Sequence, residues 1–208
     1  MIKLCGMRRN EDIAYCNECM PDYIGFIFAE SKRKVLPELA QQLQNGLDPK
    51  IVTVGVTVNA PIGFFAEISV TADIFQLHGN EDAEYISALR KLFPEKEIWK
   101  AGRIRSEADI DALAEIPADK FVLDAFSADA YGGTGKKIDE KLLAYAKNKL
   151  SKPFFIAGGI DSSNIADIIK KYTPYGIDLS SGIETDGFKD GTKMLEIMKI
   201  YHNLTEDK

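Results

Sequence analysis

The chain has 208 residues, of which 45% are hydrophobic and 28% are charged, a composition typical of globular proteins that excludes extensive disorder. The net charge of −6, without a long run of Lys or Arg, disfavours nucleic acid as a partner. No apolar stretch approaches the ~20 residues of a membrane-spanning helix, and the first ten residues turn charged early, so we predict a cytoplasmic protein without membrane contact.

Eight short runs rich in apolar, β-branched and aromatic residues predict eight strands. Most of the runs are continuous rather than alternating, which is typical of strands covered on both faces of a parallel sheet. In chain order the predicted strands are residues 2–5, 23–28, 51–58, 74–79, 97–104, 120–126, 153–160 and 175–183.

Segments with helical periodicity follow the predicted strands. Asn10, Pro37, Asn80 and Ser106 each precede or open a segment with an acidic first turn, as at the start of a helix. Further helices are predicted around residues 62–69, 139–149, 162–172 and 192–202, and residues 204–208 are expected to fray.

The alternation of strands and helices is compatible with two architectures of the α/β class, a (β/α)₈ barrel and an open doubly wound sheet. A barrel gathers the carboxyl ends of all its strands at one face, whereas an open sheet spreads them along an edge. No linker or composition shift marks a second domain. We therefore predict a single (β/α)₈ TIM barrel over residues 1–208, because the unusual residues follow six different strands: Cys5, Arg33, His78, Asp124, Gly158–Gly159 and Ser181–Gly182.

The three cysteines are an odd number, which argues against a disulfide framework. Cys16 and Cys19 form a single C-x-x-C within a predicted helix, and the only histidines are His78 and His202, so we predict helix packing rather than a metal site. Cys5 ends the first strand. A free cysteine in that position is either an inert core thiol or a group that faces a site.

Two glycine-containing segments, FIAGGID and DLSSGIE, follow the seventh and eighth predicted strands. Gly158, Gly159 and Gly182 allow backbone amides to approach an anion, and barrel enzymes commonly hold a phosphate in these two loops. Ser180 and Ser181 add hydroxyl groups. The alternative is that the glycines only make tight turns. The paired placement favours a phosphate-binding site.

Three polar side chains at other strand ends are candidates for binding or proton transfer. Asp124 lies among apolar neighbours, where burial favours the protonated carboxyl group, so it is either a general acid or a cap for the following loop. Arg33 either holds a carboxylate or belongs to a solvated basic turn. His78 either donates to a substrate or packs in the core. Residues 127–137 lack P-loop spacing and are interpreted as a flap that closes over substrate.

Seven short motifs occur in order along nearly the whole chain: KLCG (3–6), GFIFAESKR (25–33), VGVTVN (54–59), QLHG (76–79), LDAFSADAYGGTGK (123–136), AGGI (157–160) and DLSSGIE with a later KD (178–184, 189–190). Each motif alone is weak. Their order and spacing resemble the phosphoribosylanthranilate isomerase family, the barrel enzymes of tryptophan biosynthesis.

The resemblance implies an Amadori rearrangement of N-(5-phosphoribosyl)anthranilate to 1-(2-carboxyphenylamino)-1-deoxyribulose 5-phosphate, without a cofactor. By position, Asp124 would be the general acid that opens the ribose ring, and Cys5 the general base that removes the C2′ proton. Arg33 would bind the anthranilate carboxylate. The loops at 158–159 and 181–182 would bind the phosphate of this phosphosugar substrate. Such barrels occur as monomers or homodimers.

The sequence departs from the family pattern at two places that bear on the anthranilate pocket. Residues 29–32 read AESK where proline is common, and Thr57 stands where an aromatic residue is common.

Other functions on the same barrel remain open. A histidine-pathway isomerase would pair aspartates at the first and fifth strand ends, where this chain has Cys5 and Arg103. A pentose-phosphate epimerase needs more histidines than two. Indole-glycerol-phosphate synthase relies on a lysine, for which Lys100 is the candidate. A non-catalytic phosphosugar-binding module would use only the glycine loops.

Overall fold

The computed structural model describes residues 1–125 and 139–205. Eight parallel strands hydrogen-bond in chain order, and the eighth pairs back with the first, which closes a barrel and confirms the predicted fold. The strands are β1 (Ile2–Cys5), β2 (Tyr23–Ile27), β3 (Val52–Thr57), β4 (Ile74–Leu77), β5 (Glu97–Ile104), β6 (Lys120–Ala125), β7 (Phe154–Ala157) and β8 (Gly176–Leu179).

Helices follow the strands, and their apolar faces pack against the strands in one continuous core. A short 3₁₀ turn at Ile62–Phe64 precedes the third helix. The helices are α1 (Asn10–Cys19), α2 (Pro37–Gln44), α3 (Phe65–Ile68), α4 (Ala83–Leu92), α5 (Glu107–Ala114), α6 (Glu140–Lys149), α7 (Ile165–Tyr172) and α8 (Gly191–Thr205).

The predicted helix starts were partly wrong. Helix α5 begins after Ser106 as expected, with Ser106 and Asp109 forming a capping box. Helix α4 begins two residues later than the Asn80 signal predicted, because Asp82 accepts a hydrogen bond from the Tyr85 amide at 2.8 Å and caps the helix there.

Side chains alternate between the barrel interior and the layer beneath the helices, because successive residues of a strand point to opposite faces. The interior is closed by aromatic rings, with Trp99 stacked on Phe155 at 4.6 Å and Tyr23 packed edge-on against both. Both layers are buried, which explains why the strands read as continuous apolar runs.

Several strands end earlier than predicted, and the residues beyond them form loops at the carboxyl face. Strand β7 ends at Ala157 because Gly158 and Gly159 have φ angles of 89° and 61°, which are incompatible with extended backbone. Strand β8 ends at Leu179. A 3₁₀ turn at Ser181–Ile183 and a small antiparallel hairpin follow, formed by β9 (Glu184–Thr185) and β10 (Phe188–Lys189), which the sequence analysis missed.

Cys5, Cys16 and Cys19 are all free and buried. Cys16 and Cys19 pack in the core beneath α1, as their helical position predicted. Across residues 1–125 and 139–205, no three His, Cys, Asp or Glu side chains are grouped so as to hold a metal ion. Within the same ranges no helix is long and apolar enough to cross a membrane. The predicted flap at 127–137 lies outside the described residues.

Candidate active site

A cavity of about 330 Å³ opens at the carboxyl end of the barrel. All the predicted site residues except Gly182 line it, and they come from six of the eight β-α units. The barrel therefore brings together side chains that are far apart in sequence. The lining residues are Cys5, Ile27, Ala29, Glu30, Ser31, Arg33, Val56, Val58, Gln76, His78, Asp124, Ala157, Gly158, Gly159, Ile160, Asp178, Ser180 and Ser181.

Cys5 reaches the cavity from the last position of β1, and the neighbouring strand makes room for it. A Cβ atom on Gly25 of β2 would lie 2.5 Å from the Cys5 sulfur, so only glycine fits beside the thiol. Gly6 follows with a φ of 91° and turns the chain away from the cavity. The Cys5 side chain therefore lies at the edge of the cavity, with space for its sulfur beside Gly25.

Charged groups surround Cys5 at close range. Burial raises the pKa of the Cys5 thiol above its ordinary value, whereas the positive charges of Lys3 and Lys189 oppose this and Asp178 reinforces it. Lys3 donates a hydrogen bond to Asp178 Oδ2 at 2.8 Å, and both residues are buried. Asp178 Oδ1 is buried without a hydrogen-bond partner in the described part of the chain. The unliganded site therefore favours the neutral thiol.

Asp124 lies at the end of β6, and His78 follows β4. The His78 Nε2 atom is 3.3 Å from Asp124 Oδ2, but their geometry is not that of a hydrogen bond, and Nε2 has no hydrogen-bond partner in the described part of the chain. His78 is thus not a satisfied core histidine, and a bound ligand can use this atom. Asp124 is 3% exposed, so its carboxyl group faces the cavity from an almost dry environment.

Arg33 is not part of a solvated basic turn. Its Nε and Nη2 atoms donate to the two carboxylate oxygens of Glu184 at 2.6 and 2.7 Å, and Lys189 donates to the same carboxylate at 2.7 Å. Lys189 is nearly completely buried and also donates to the Ser180 carbonyl at 2.9 Å. The β9–β10 hairpin, which carries Glu184 and Lys189, therefore fixes the guanidinium at the rim of the cavity.

Glu184, Lys189, Lys3 and Asp178 all stand within the family-like motifs, but no role was predicted for any of them from the sequence. The signal for Lys3 and Asp178 was available, since each is a charged residue inside an otherwise apolar strand, IKLC and GIDL, at a position that faces the barrel interior.

We expect the stability supplied by Glu184 to depend on pH. Burial alone would raise the pKa of its carboxyl group, but Arg33 and Lys189 outweigh this and lower it to about 2 from the ordinary 4.5. Because the pKa of Glu184 is lower in the folded protein than in the unfolded chain, its contribution to stability is fully present above the unfolded-state pKa of 4.5. This contribution is lost as the pH falls through the folded-state pKa of about 2. Glu184→Gln should therefore lower the free energy of unfolding by about 2 kcal/mol at neutral pH and by much less at acid pH.

Urea unfolding of both proteins between about pH 3 and pH 7 measures this difference. Glu140→Gln is the matched control, because Glu140 forms an exposed ion pair with Lys171 on the outside of the barrel and should show little difference at any pH. A difference for Glu184→Gln that stays constant with pH would show that its charge does not supply the stability.

The glycine loops after β7 and β8 lie together at one side of the cavity. Gly158 and Gly159 line it directly, as do Ser180 and Ser181. Gly182 does not line the cavity. A Cβ atom there would lie 1.9 Å from the Ile160 carbonyl oxygen, so this glycine allows the two loops to touch. Gly182 packs against the loop that does line the cavity, and its contact with phosphate stays a prediction.

The two departures from the family pattern differ in their consequences. Ala29, Glu30 and Ser31 line the cavity, so the AESK segment does shape it. Thr57 is buried but does not line the cavity, whereas its neighbours Val56 on β3 and Val58 just after β3 do. Thr57 therefore contributes no side chain to the cavity wall.

Lys100 is also outside the cavity. Its ammonium group donates to Glu81 and to the carbonyls of Leu77, Gly79 and Ala101, beneath the outer layer of the barrel. A catalytic lysine in the manner of indole-glycerol-phosphate synthase is therefore not available at this position.

The fold and the cavity define a class: a (β/α)₈ barrel with a buried carboxyl group, a thiol and a paired guanidinium around one pocket at the carboxyl ends of its strands. The family model described as N-(5′-phosphoribosyl)anthranilate (PRA) isomerase matches residues 2–200. The chain belongs to this family.

Individual relatives agree with the family match. The chain is 41% identical over 195 residues to N-(5′-phosphoribosyl)anthranilate isomerase of Thermoanaerobacter pseudethanolicus, covering 93% of each protein. The crystal structure of phosphoribosyl anthranilate isomerase from Thermus thermophilus superposes with a TM-score of 0.85 at 26% identity, covering 98% of both chains. A second isomerase, solved with reduced 1-(o-carboxyphenylamino)-1-deoxyribulose 5-phosphate, superposes with a TM-score of 0.82 at 27% identity and the same coverage.

Proposed function

We propose that this chain is a phosphoribosylanthranilate isomerase that converts N-(5-phosphoribosyl)anthranilate to 1-(2-carboxyphenylamino)-1-deoxyribulose 5-phosphate. The observation that carries the proposal is the presence of Cys5 and Asp124 in one cavity, on β1 and β6, with the glycine loops of β7 and β8 between them. An isomerisation by proton transfer needs an acid and a base on different sides of the sugar, and it leaves the composition of the substrate unchanged.

Asp124 acts first, as the general acid. Its carboxyl group gives a proton to the ribose ring oxygen, the C1′–O bond breaks, and the nitrogen lone pair forms a Schiff base with C1′. The position of Asp124 supports this role, because its nearly buried carboxyl group lines the cavity. His78, 3.3 Å from the Asp124 carboxylate, is placed to contact the substrate beside the reacting oxygen.

Cys5 acts second, as the general base. Its thiolate removes the proton from C2′, and the electron pair of the broken C–H bond moves toward the iminium nitrogen to give an enolamine. The enolamine then gains a proton at C1′ and loses one from the 2′-hydroxyl, which yields the ketone. The position of Cys5 supports this role, because the thiol lines the cavity with room for its sulfur beside Gly25.

The two ends of the substrate have separate binding groups. Arg33 receives the anthranilate carboxylate, and its bidentate pairing with Glu184 supports this by fixing the plane of the guanidinium. Gly158, Gly159 and Ser181 bind the phosphate through the loops of β7 and β8. The sugar then spans the space between Cys5 and Asp124.

The deciding experiment follows anthranilate fluorescence as purified protein consumes freshly generated phosphoribosylanthranilate. Acceleration above the uncatalysed rate supports the proposal, and its absence refutes it. The alternative of a non-catalytic phosphosugar-binding module is tested in the same preparation, because such a module binds reduced product analogue without turnover. We further infer a cytoplasmic location, which the three free cysteines support.

A further inference from the structure

A buried ion pair lies at the floor of the cavity, where Asp178 lines it and Lys3 does not, and the proton transfers proposed above do not use it. Lys3 on β1 is completely inaccessible to solvent, and its Nζ atom donates to Asp178 Oδ2 at 2.8 Å. The two residues are register partners on β1 and β8. Cys5 is two residues beyond Lys3, so both side chains point into the barrel and the pair lies directly below the thiol.

The ion pair occupies a buried position that two apolar side chains would fill with a smaller desolvation free energy. The neighbouring interior positions hold apolar and aromatic side chains, among them Val54, Trp99 and Phe155. Removing a charge from water costs on the order of several kcal/mol per ion, and replacement of buried ion pairs by apolar residues is often neutral or stabilising. Stability of the barrel therefore does not account for charges at this position, and their proximity to Cys5 does.

The charges near Cys5 act in opposite directions. Lys3 on its own strand, Lys189 on β10 and Arg33 after β2 are positive, whereas Asp178 on β8 is negative. Burial raises the pKa of the thiol, the positive charge of Lys3 gives the largest opposing effect, and the negative charge of Asp178 raises the pKa further. Asp124 and His78 line the same cavity from β6 and from the end of β4.

Lys3 itself remains an ammonium group. Burial alone would lower its pKa, but the charges of Asp178 and Cys5 outweigh this and raise it. The lysine is thus a fixed positive charge whose position is set by Asp178.

We propose that Lys3 is a positioning residue for the isomerisation: held by Asp178 directly below Cys5, its ammonium charge stabilises the Cys5 thiolate that accepts the C2′ proton. This inference rests on the proposed function. Lys3 does not line the cavity, so it acts only through Cys5.

The test measures the thiolate without substrate. Iodoacetamide alkylates thiolates, so the rate of Cys5 modification between about pH 6 and pH 10, followed by mass spectrometry to separate Cys5 from Cys16 and Cys19, reports its ionisation. Lys3→Met should displace the rise in rate to higher pH by about one unit, which lowers Cys5 modification about tenfold at neutral pH. Lys3→Arg keeps a positive charge below Cys5, so the pH of the rise should return most of the way to its wild-type value.

Asp178→Asn should displace the rise in the rate of Cys5 alkylation in the opposite direction, to lower pH. This variant removes the negative charge that disfavours the thiolate and leaves the Lys3 ammonium to pair with the sulfur. A merely structural role of the pair would make both substitutions act alike. Because Asp178→Asn is close in size to the original residue, it also decides the question if Lys3→Met does not fold.

Lys120→Met is the matched control, since Lys120 pairs with Glu97 at the opposite end of the barrel and should leave Cys5 alkylation unchanged. Unchanged pH dependence in folded Lys3→Met, or displacement of both variants in the same direction, would overturn the inference. Failure of this inference can be told apart from failure of the proposed function. If the proposed function is wrong, the wild-type protein shows no activity in the anthranilate assay, whatever the alkylation rates are.

Discussion

Asp124→Asn is expected to lower kcat by about 10²–10⁴-fold while the reduced product analogue still binds. The amide is close in size to the carboxyl group and lies in the same nearly dry position, but it has no acidic proton to give to the ribose ring oxygen. Ring opening then limits the rate. The measurement is the anthranilate fluorescence assay together with analogue binding by calorimetry.

A substrate deuterated at C2′ makes the assignment to ring opening specific. In Asp124→Asn the isotope effect on kcat should fall toward unity, because C–H cleavage comes after the impaired step. Asp111→Asn is the matched control, since Asp111 lies on α5 outside the barrel, paired with Lys149, and should leave kcat unchanged. Turnover close to wild type in Asp124→Asn would remove Asp124 from the mechanism.

The sequence predicted the barrel because its signals were local. Each strand is a short apolar run, and each of these runs is followed by a polar or glycine-containing stretch, so eight units could be counted without knowing any contact. The boundaries were less accurate where the backbone conformation of single residues decided them. Gly158 and Gly159 end β7 through positive φ angles, and an apolar run that continues through them gives no sign of this.

The candidate site could be predicted in part, and the missing part has a physical reason. Cys5, Arg33 and Asp124 stand at strand ends, and closure of the barrel is sufficient to bring them to one face. The partners of these groups depend on contacts between distant segments. Glu184 accepts hydrogen bonds from Arg33, which is 151 residues away in the sequence. The hairpin that carries Glu184 has strands of only two residues, which are too short to show a periodic pattern.

The same limit applies to the charges around Cys5. An isolated cysteine in an apolar strand suggests an inert thiol, and its environment becomes apparent only when β8 closes against β1 and places Asp178 beside Lys3. Part of the charge environment of Cys5 therefore comes from a residue nearly the whole chain away, which the local sequence does not reveal.

Cys5→Ser is expected to lower kcat by about 10²–10⁴-fold, again with the product analogue still bound. Serine fits beside Gly25 as cysteine does, but its hydroxyl group is far less acidic than a thiol and supplies almost no anion at neutral pH to remove the C2′ proton. Kcat for the wild type should rise with pH, because burial raises the pKa of the Cys5 thiol and only the thiolate is a base.

The isotope effect separates this variant from Asp124→Asn. In Cys5→Ser the C2′ proton transfer becomes limiting, so a deuterated substrate should give a full primary isotope effect, opposite to the result for the acid. Cys19→Ser is the matched control, since Cys19 packs beneath α1 away from the cavity and should keep both kcat and its pH dependence. A Cys5→Ser enzyme with an unchanged isotope effect and wild-type kcat would mean that another group takes the C2′ proton.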